Sequence, residues 1–306
     1  MQAVKYNNLA WKSAATLLFP TDFDPSKKYP AIISVHPIGS CKEQTSGNIY
    51  GQALAEAGFV VLVIDASFQG ESGGEPRFTE NPYHRVEDIR YAVDYLITQD
   101  FVDETRIGVL GICGGGGYAL NVAMTERRIK AVVSITGVNF GRMLRDNFGG
   151  QSPIEVLEAV AQQRTAEARG AEKMIMSFLP PSVEAAQQAG IQDIDILEAT
   201  DYYKTSRGQQ PNGATSALYS GLSAALGWDA FALSETLLTQ PILVVIGDQP
   251  GGFGAYRDGY EIVRRAASKQ KELLVLENTS HYELYDQPEP VAQALAKVIP
   301  FFKEQL

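Results

Sequence analysis

The chain is poor in cysteine and histidine, with two of the first, Cys41 and Cys113, and three of the second. Two thiols exclude a disulfide framework and fit a reducing compartment. Clustered cations are also missing. Against 36 Asp and Glu stand 26 Lys and Arg, a formal net charge of −10, so nucleic acid and an anionic membrane surface are not expected as partners. No stretch approaches the ~20 apolar residues of a membrane span, and the opening MQAVKYNNLAWK lacks the apolar core of a signal peptide. These absences predict a soluble, cytoplasmic protein with no membrane partner. There is no internal repeat and no low-complexity run. What the chain does have is core: 45% of its 306 residues are hydrophobic, enough for one large domain or a domain with an insertion.

The apolar residues alternate in kind. Residues 31–35 (AIISV), 59–64 (FVVLVI), 131–136 (AVVSIT) and 241–246 (PILVVI) are continuous runs of strand length, as for strands covered on both faces. Residues 14–19 and 272–276 add a first and a last strand. Helical spacing occupies residues 47–57, 84–98 and 291–302, and Pro300 is expected to kink or end the last of these. Strand alternating with helix predicts an α/β fold, a doubly wound and mostly parallel sheet.

Residues 139–238 interrupt that alternation. Ser152, Pro153 and Glu155 form a capping box that starts a helix running to residue 168, with further helical patterns at 183–189 and 217–226. Residues 202–213 are polar and irregular, and no sheet strand is expected anywhere in the stretch. The reading is an α/β core of residues 1–138 and 239–306, with 139–238 as a helical lid insertion roofing the carboxyl ends of the strands. Whether the chain is a homo-oligomer is left open by the pattern.

The candidate chemistry lies in residues 106–125, RIGVLGICGGGGYALNVAMT. An apolar run meets a Gly-x-Cys-x-Gly turn, and helical spacing resumes from Tyr118. This is the strand, sharp turn and helix of a nucleophile elbow with cysteine in the place of serine. No Lys-Ser/Thr follows the glycines, which argues against a phosphate loop. At a helix N-terminus the dipole predicts a thiol biased toward thiolate.

An attacking thiol needs a base, an orienting acid and oxyanion donors. His84 opens a helix and is read as a surface or capping residue, and the ring of His36 is placed to fix the loop after the first buried strand. His281, after the last strand, alone satisfies the order nucleophile, acid, histidine. The donors are read as the N–H groups of Gly114 and Ile38, since Pro37 has none. Asp248 is the one carboxylate between the strand at 241–246 and Asp258, so it is the candidate acid, with a turn-forming role as the equal alternative. His36, Glu71 and Ser72 are candidate pocket residues. So are Tyr202 and Tyr203, in an insertion whose aromatic residues point to an apolar acyl pocket or to its own packing core.

With these residues in place, the chain resembles the α/β-hydrolase superfamily, near the dienelactone-hydrolase-like proteins and a branch with a cysteine elbow. The stretches that carry this are HPIGSCKEQ, DASFQGESGGEPR, RVEDIRYAVDYL, RIGVLGICGGGGYA, RIKAVVSITGVN and NTSHYELYDQP. The resemblance implies a Cys-His-Asp triad with Cys113 as nucleophile and His281 as base. It also implies a small-molecule acyl substrate and hydrolysis of esters, lactones or thioesters without metal or organic cofactor. Two departures stand out. The acid of the branch lies in a Gly-Ser-x-Ala-Asp pattern whose last place is taken here by Gly251, and the Ala-Ser-Gly-Gly after its nucleophile is all glycine here, which implies a looser turn. An acyltransferase using the same site to acylate an alcohol or amine is the alternative, and a non-catalytic binding protein is the second.

Overall fold

The computed structural model describes residues 1–146 and 151–306. Ten strands form in chain order: β1 (Gln2–Asn8), β2 (Trp11–Leu18), β3 (Tyr29–Val35), β4 (Val60–Ile64), β5 (Val102–Ile112), β6 (Ile129–Ile135), β7 (Ile175–Ser177), β8 (Ser216–Leu218), β9 (Ile242–Gly247) and β10 (Lys271–Leu276). Eight of them make one sheet in the order β1-β2-β4-β3-β5-β6-β9-β10. From β4 to β10 every neighbouring pair is parallel, and β2 closes onto β4 antiparallel. The fold is the expected α/β one, a mostly parallel sheet with helices on both faces.

The central strands are buried along their length because their apolar residues face helices on both sides: all five residues of β4 and all six of β9 are buried. One face packs on the helices Pro82–Leu96 and Gly114–Thr125, the other on Pro288–Gln305. The edge strand β1 was invisible in the sequence for the opposite reason. Of its seven residues only Tyr6 and Asn8 are buried, so it has no apolar signature, and it forms through a hairpin whose Leu9 takes φ +47°.

Two expectations about helices need correction. The last helix does not end at Pro300 but runs on to Gln305, because Phe301 and Phe302 beyond the proline are buried in the core and hold the turn that the missing N–H weakens. The expected helix at residues 47–57 opens as a wide π-turn over Thr45–Gly51 before the α-helix Gln52–Glu56.

Residues 139–238 leave from the carboxyl end of β6 and return at β9. The capping box at Ser152 and Glu155 is formed and starts the helix Pro153–Ala168. Contrary to expectation, the stretch does contain strands: β7 and β8 pair antiparallel as a small separate ribbon. The helical pattern at 217–226 is only partly helix, because β8 takes its first residues and the α-helix is Leu222–Leu226. The helix Ile194–Lys204 extends into the segment read as irregular. Val156, Val160, Ala217, Leu222, Leu226, Trp228 and Phe231 join the same core as the sheet residues, so the insertion is packed on the sheet and is not tethered as a separate unit. Among the described residues, no helix is long and apolar enough to cross a membrane.

Candidate active site

The parallel strands bring their carboxyl ends to one edge, and the residue after each is a candidate: His36 after β3, Cys113 after β5, Thr136 after β6 and Asp248 after β9. His281 stands five residues beyond β10.

Cys113 has φ +54° and ψ −124°, a conformation that costs an L-residue energy and is held by its surroundings. Its N–H donates to Ile135 O at 3.0 Å, and its C=O accepts from Val138 N at 2.9 Å, tying the turn to β6 and its loop. The glycines that follow are there for close approach, and the turn is not loose as the all-glycine run implied. A Cβ on Gly114 would stand 2.4 Å from Ile38 Cγ1, and one on Gly115 would stand 2.4 Å from Val35 O.

The sulfur is buried, with the backbone N–H groups of Gly114 and Ile38 and the Tyr285 hydroxyl all favouring its anionic form. Burial wins, pushing the thiol up to about 11. The expected bias toward thiolate is therefore not found in this conformation, because desolvation outweighs the helix end. Iodoacetamide at pH 7.5 is accordingly expected to alkylate Cys113 slowly. Its thiolate fraction lies roughly 300-fold below that of a free thiol of pKa ~8.5, and the rate should climb as pH rises toward 11. Alkylation at pH 7.5 as fast as free cysteine would contradict this.

His281 is buried, and its Nδ1 is hydrogen-bonded to the Thr136 hydroxyl at 2.8 Å. Thr136 is held at φ +44°, its N–H donating to Val245 O, so a strained backbone sets the hydroxyl toward the ring. Burial pushes the imidazole down to about 3, so it is neutral at physiological pH. Nε2 has no hydrogen-bond partner among the described residues and so is not bonded to the Cys113 sulfur in this conformation. The Tyr285 ring lies 5.5 Å from the imidazole. Sequence reasoning missed Thr136 and Tyr285. The first follows a core strand as Cys113 does and was within reach; the second carries no local signal.

Asp248 needs correction. Its carboxylate accepts from the Thr279 amide at 3.2 Å, tying the loop after β9 to the loop after β10, and the group on His281 Nδ1 is the Thr136 hydroxyl.

A cavity of about 90 Å³ opens at Cys113, walled by Ile38, Met143, Phe178, Leu179, Tyr203, Thr215, Phe253 and Tyr282. Of the candidate pocket residues only Tyr203 lines it. Tyr202 packs edge-on against Tyr203 and its hydroxyl accepts from Thr45 N. His36 is spent on structure: Nε2 accepts from Ala66 N at 3.0 Å, Nδ1 meets Pro37 O, and Arg85 donates to its C=O. Ser72 bridges Ala14 N and Asp65 O. Glu71 joins Glu43 and Asp65 in a carboxylate cluster that a cation would suit, but Lys42 Nζ is bonded to all three, at 2.7, 2.5 and 3.1 Å.

The PET hydrolase-like family, PETase, matches residues 7–148. The protein YcjY of Escherichia coli (strain K12) is 40% identical over 304 residues, covering 98% of this chain and 96% of that one. PA2218 of Pseudomonas aeruginosa is 34% identical over 286 residues, 91% of this chain and 74% of that protein. Its crystal structure superposes with a TM-score of 0.88 over 100% of this chain and 93% of that one. The α/β hydrolase GrgF from Penicillium sp. sh18 shares the fold, with a TM-score of 0.77 at 17% identity over 99% of this chain and 98% of that one. By near full-length identity the chain belongs to the family that includes YcjY and PA2218, and its fold is that of the α/β hydrolases.

Proposed function

We propose that the chain is an acyl hydrolase of the dienelactone-hydrolase-like kind, cleaving an ester, lactone or thioester through a covalent intermediate on Cys113. The observation that carries this is the elbow itself, a buried cysteine held at φ +54° and ψ −124° between β5 and the helix Gly114–Thr125 and bordering an apolar cavity. His281 Nε2 takes the thiol proton as Sγ attacks the acyl carbon, and the two amides donate to the oxygen as it becomes negative. The C–O or C–S bond to the leaving group breaks, and the proton passes from Nε2 to that group. Water then loses a proton to Nε2, attacks the thioester and releases the acid and the thiol. In the tautomer this requires, Nδ1–H donates to Thr136 Oγ1. The neutral state of both groups at rest means that proton transfer accompanies attack and no thiolate waits for substrate.

The walls favour an apolar acyl group. Met143, Phe178 and Phe253 border both the cavity at Cys113 and a neighbouring groove of about 430 Å³, a path for a chain longer than the inner space holds. The same apolar wall around a thioester favours a second reading, transfer of the acyl group to an alcohol in place of water. The product ratio with added alcohol separates the two. The test of the main reading is p-nitrophenyl butyrate under rapid mixing. A burst of nitrophenol and a butyryl group on the peptide containing Cys113 are expected, and an unmodified Cys113 during full turnover would refute it.

A further inference from the structure

Asp195 is an acid that the proposed reaction leaves unused. It sits in the first turn of the insertion helix Ile194–Lys204, 1% exposed, with one carboxylate oxygen accepting from Phe253 N at 2.8 Å and the other, Oδ1, buried without a partner among the described residues. The N-cap of the same helix, Asp193, accepts from Gly252 N at 2.8 Å, so the helix start is stitched to the loop after β9. Asp195 and His281 wall the same polar cavity of about 10 Å³, together with Thr136 and Gly251. A Cβ built on Gly251 would stand 2.2 Å from the Asp195 carboxyl carbon. The space that a side chain at 251 would enter is therefore already filled, by a carboxylate arriving from the insertion.

We propose, on the reading of Cys113 and His281 as nucleophile and base, that Asp195 is the positioning acid of the site, acting from the insertion across that cavity to orient His281 and balance its charge when protonated. The loop after β9, where Asp248 was sought, thus yields its place to residue 195. Burial, with Asp193 and Glu198 nearby, pushes the carboxyl up to about 7, and an imidazolium formed on His281 supplies the opposite charge that favours ionisation. The insertion contributes to the machinery as well as to the walls.

Asp195→Asn tests this with the fold preserved, because the amide oxygen still accepts from Phe253 N. With p-nitrophenyl butyrate, kcat is expected to fall roughly 10²- to 10⁴-fold while KM stays within about threefold and the urea midpoint is unchanged. The second variant moves the carboxylate home. Gly251 is not in the left-handed region, so Asp195→Gly combined with Gly251→Asp admits a carboxylate from the loop. It should recover at least about tenfold in kcat over Asp195→Gly alone. Asp195→Asn within twofold of wild type, or a double variant no faster than Asp195→Gly, overturns the proposal. Either result beside an inactive Cys113→Ala refutes only the role of Asp195; an active Cys113→Ala refutes the reading of Cys113 as nucleophile beneath it.

Discussion

On the proposed mechanism Cys113→Ala is expected to lower kcat on p-nitrophenyl butyrate by on the order of 10⁵-fold and to abolish the burst, since the Gly114 and Ile38 amides and the cavity remain but nothing attacks. KM should change little, because the sulfur contributes more to the transition state than to binding. The fold should survive, for the side chain lost is small. Cys113→Gly separates chemistry from strain: it is as inactive as Cys113→Ala, but φ +54° and ψ −124° are open to glycine, so it should resist urea better than the alanine variant by about 1 kcal/mol. Equal stability of the two would mean that the elbow stores no strain. Residual turnover in either variant above roughly a tenth of wild type would remove Cys113 from the mechanism.

Gly115→Ala is expected to destabilise the fold by roughly 3 kcal/mol in urea unfolding, the largest stability effect predicted for the site. The added methyl would meet Val35 O at 2.4 Å and His36 O at 2.8 Å, both of them backbone at the end of a buried central strand. A flexible side chain would swing aside; these carbonyls carry the chain into the loop that presents the Ile38 amide. The helix of Gly114–Thr125 must then move off β3, widening the gap between the Gly114 and Ile38 amides, the proposed oxyanion donors, so kcat should fall even where the variant is fully folded. A loss below about 1 kcal/mol would contradict the close approach of helix and strand at Gly115.

Much of the architecture was legible because burial on both faces leaves a continuous apolar run that needs no partner to be recognised, as at β4 and β9. The Ser152 capping box was equally legible, since it is a contact among neighbours in sequence. The edge strand β1 and the ribbon of β7 and β8 were not, because edge and ribbon strands are half polar and are formed by pairing more than by their own pattern. Local turn chemistry also predicted the strained elbow at Cys113. It failed for the thiolate bias, because desolvation is a property of everything packed around an atom.

Sequence alone determined the alternation of strands and helices, the elbow with its cysteine, and which histidine follows the last strand, since each is written in contiguous residues and their order. Tertiary structure alone decided that Thr136 holds the imidazole, that Glu71 and Ser72 serve the framework, and that a carboxylate from residue 195 fills the space beside Gly251. A hydrogen bond or a filled void between distant residues depends on how separate elements pack, and no local pattern encodes that distance.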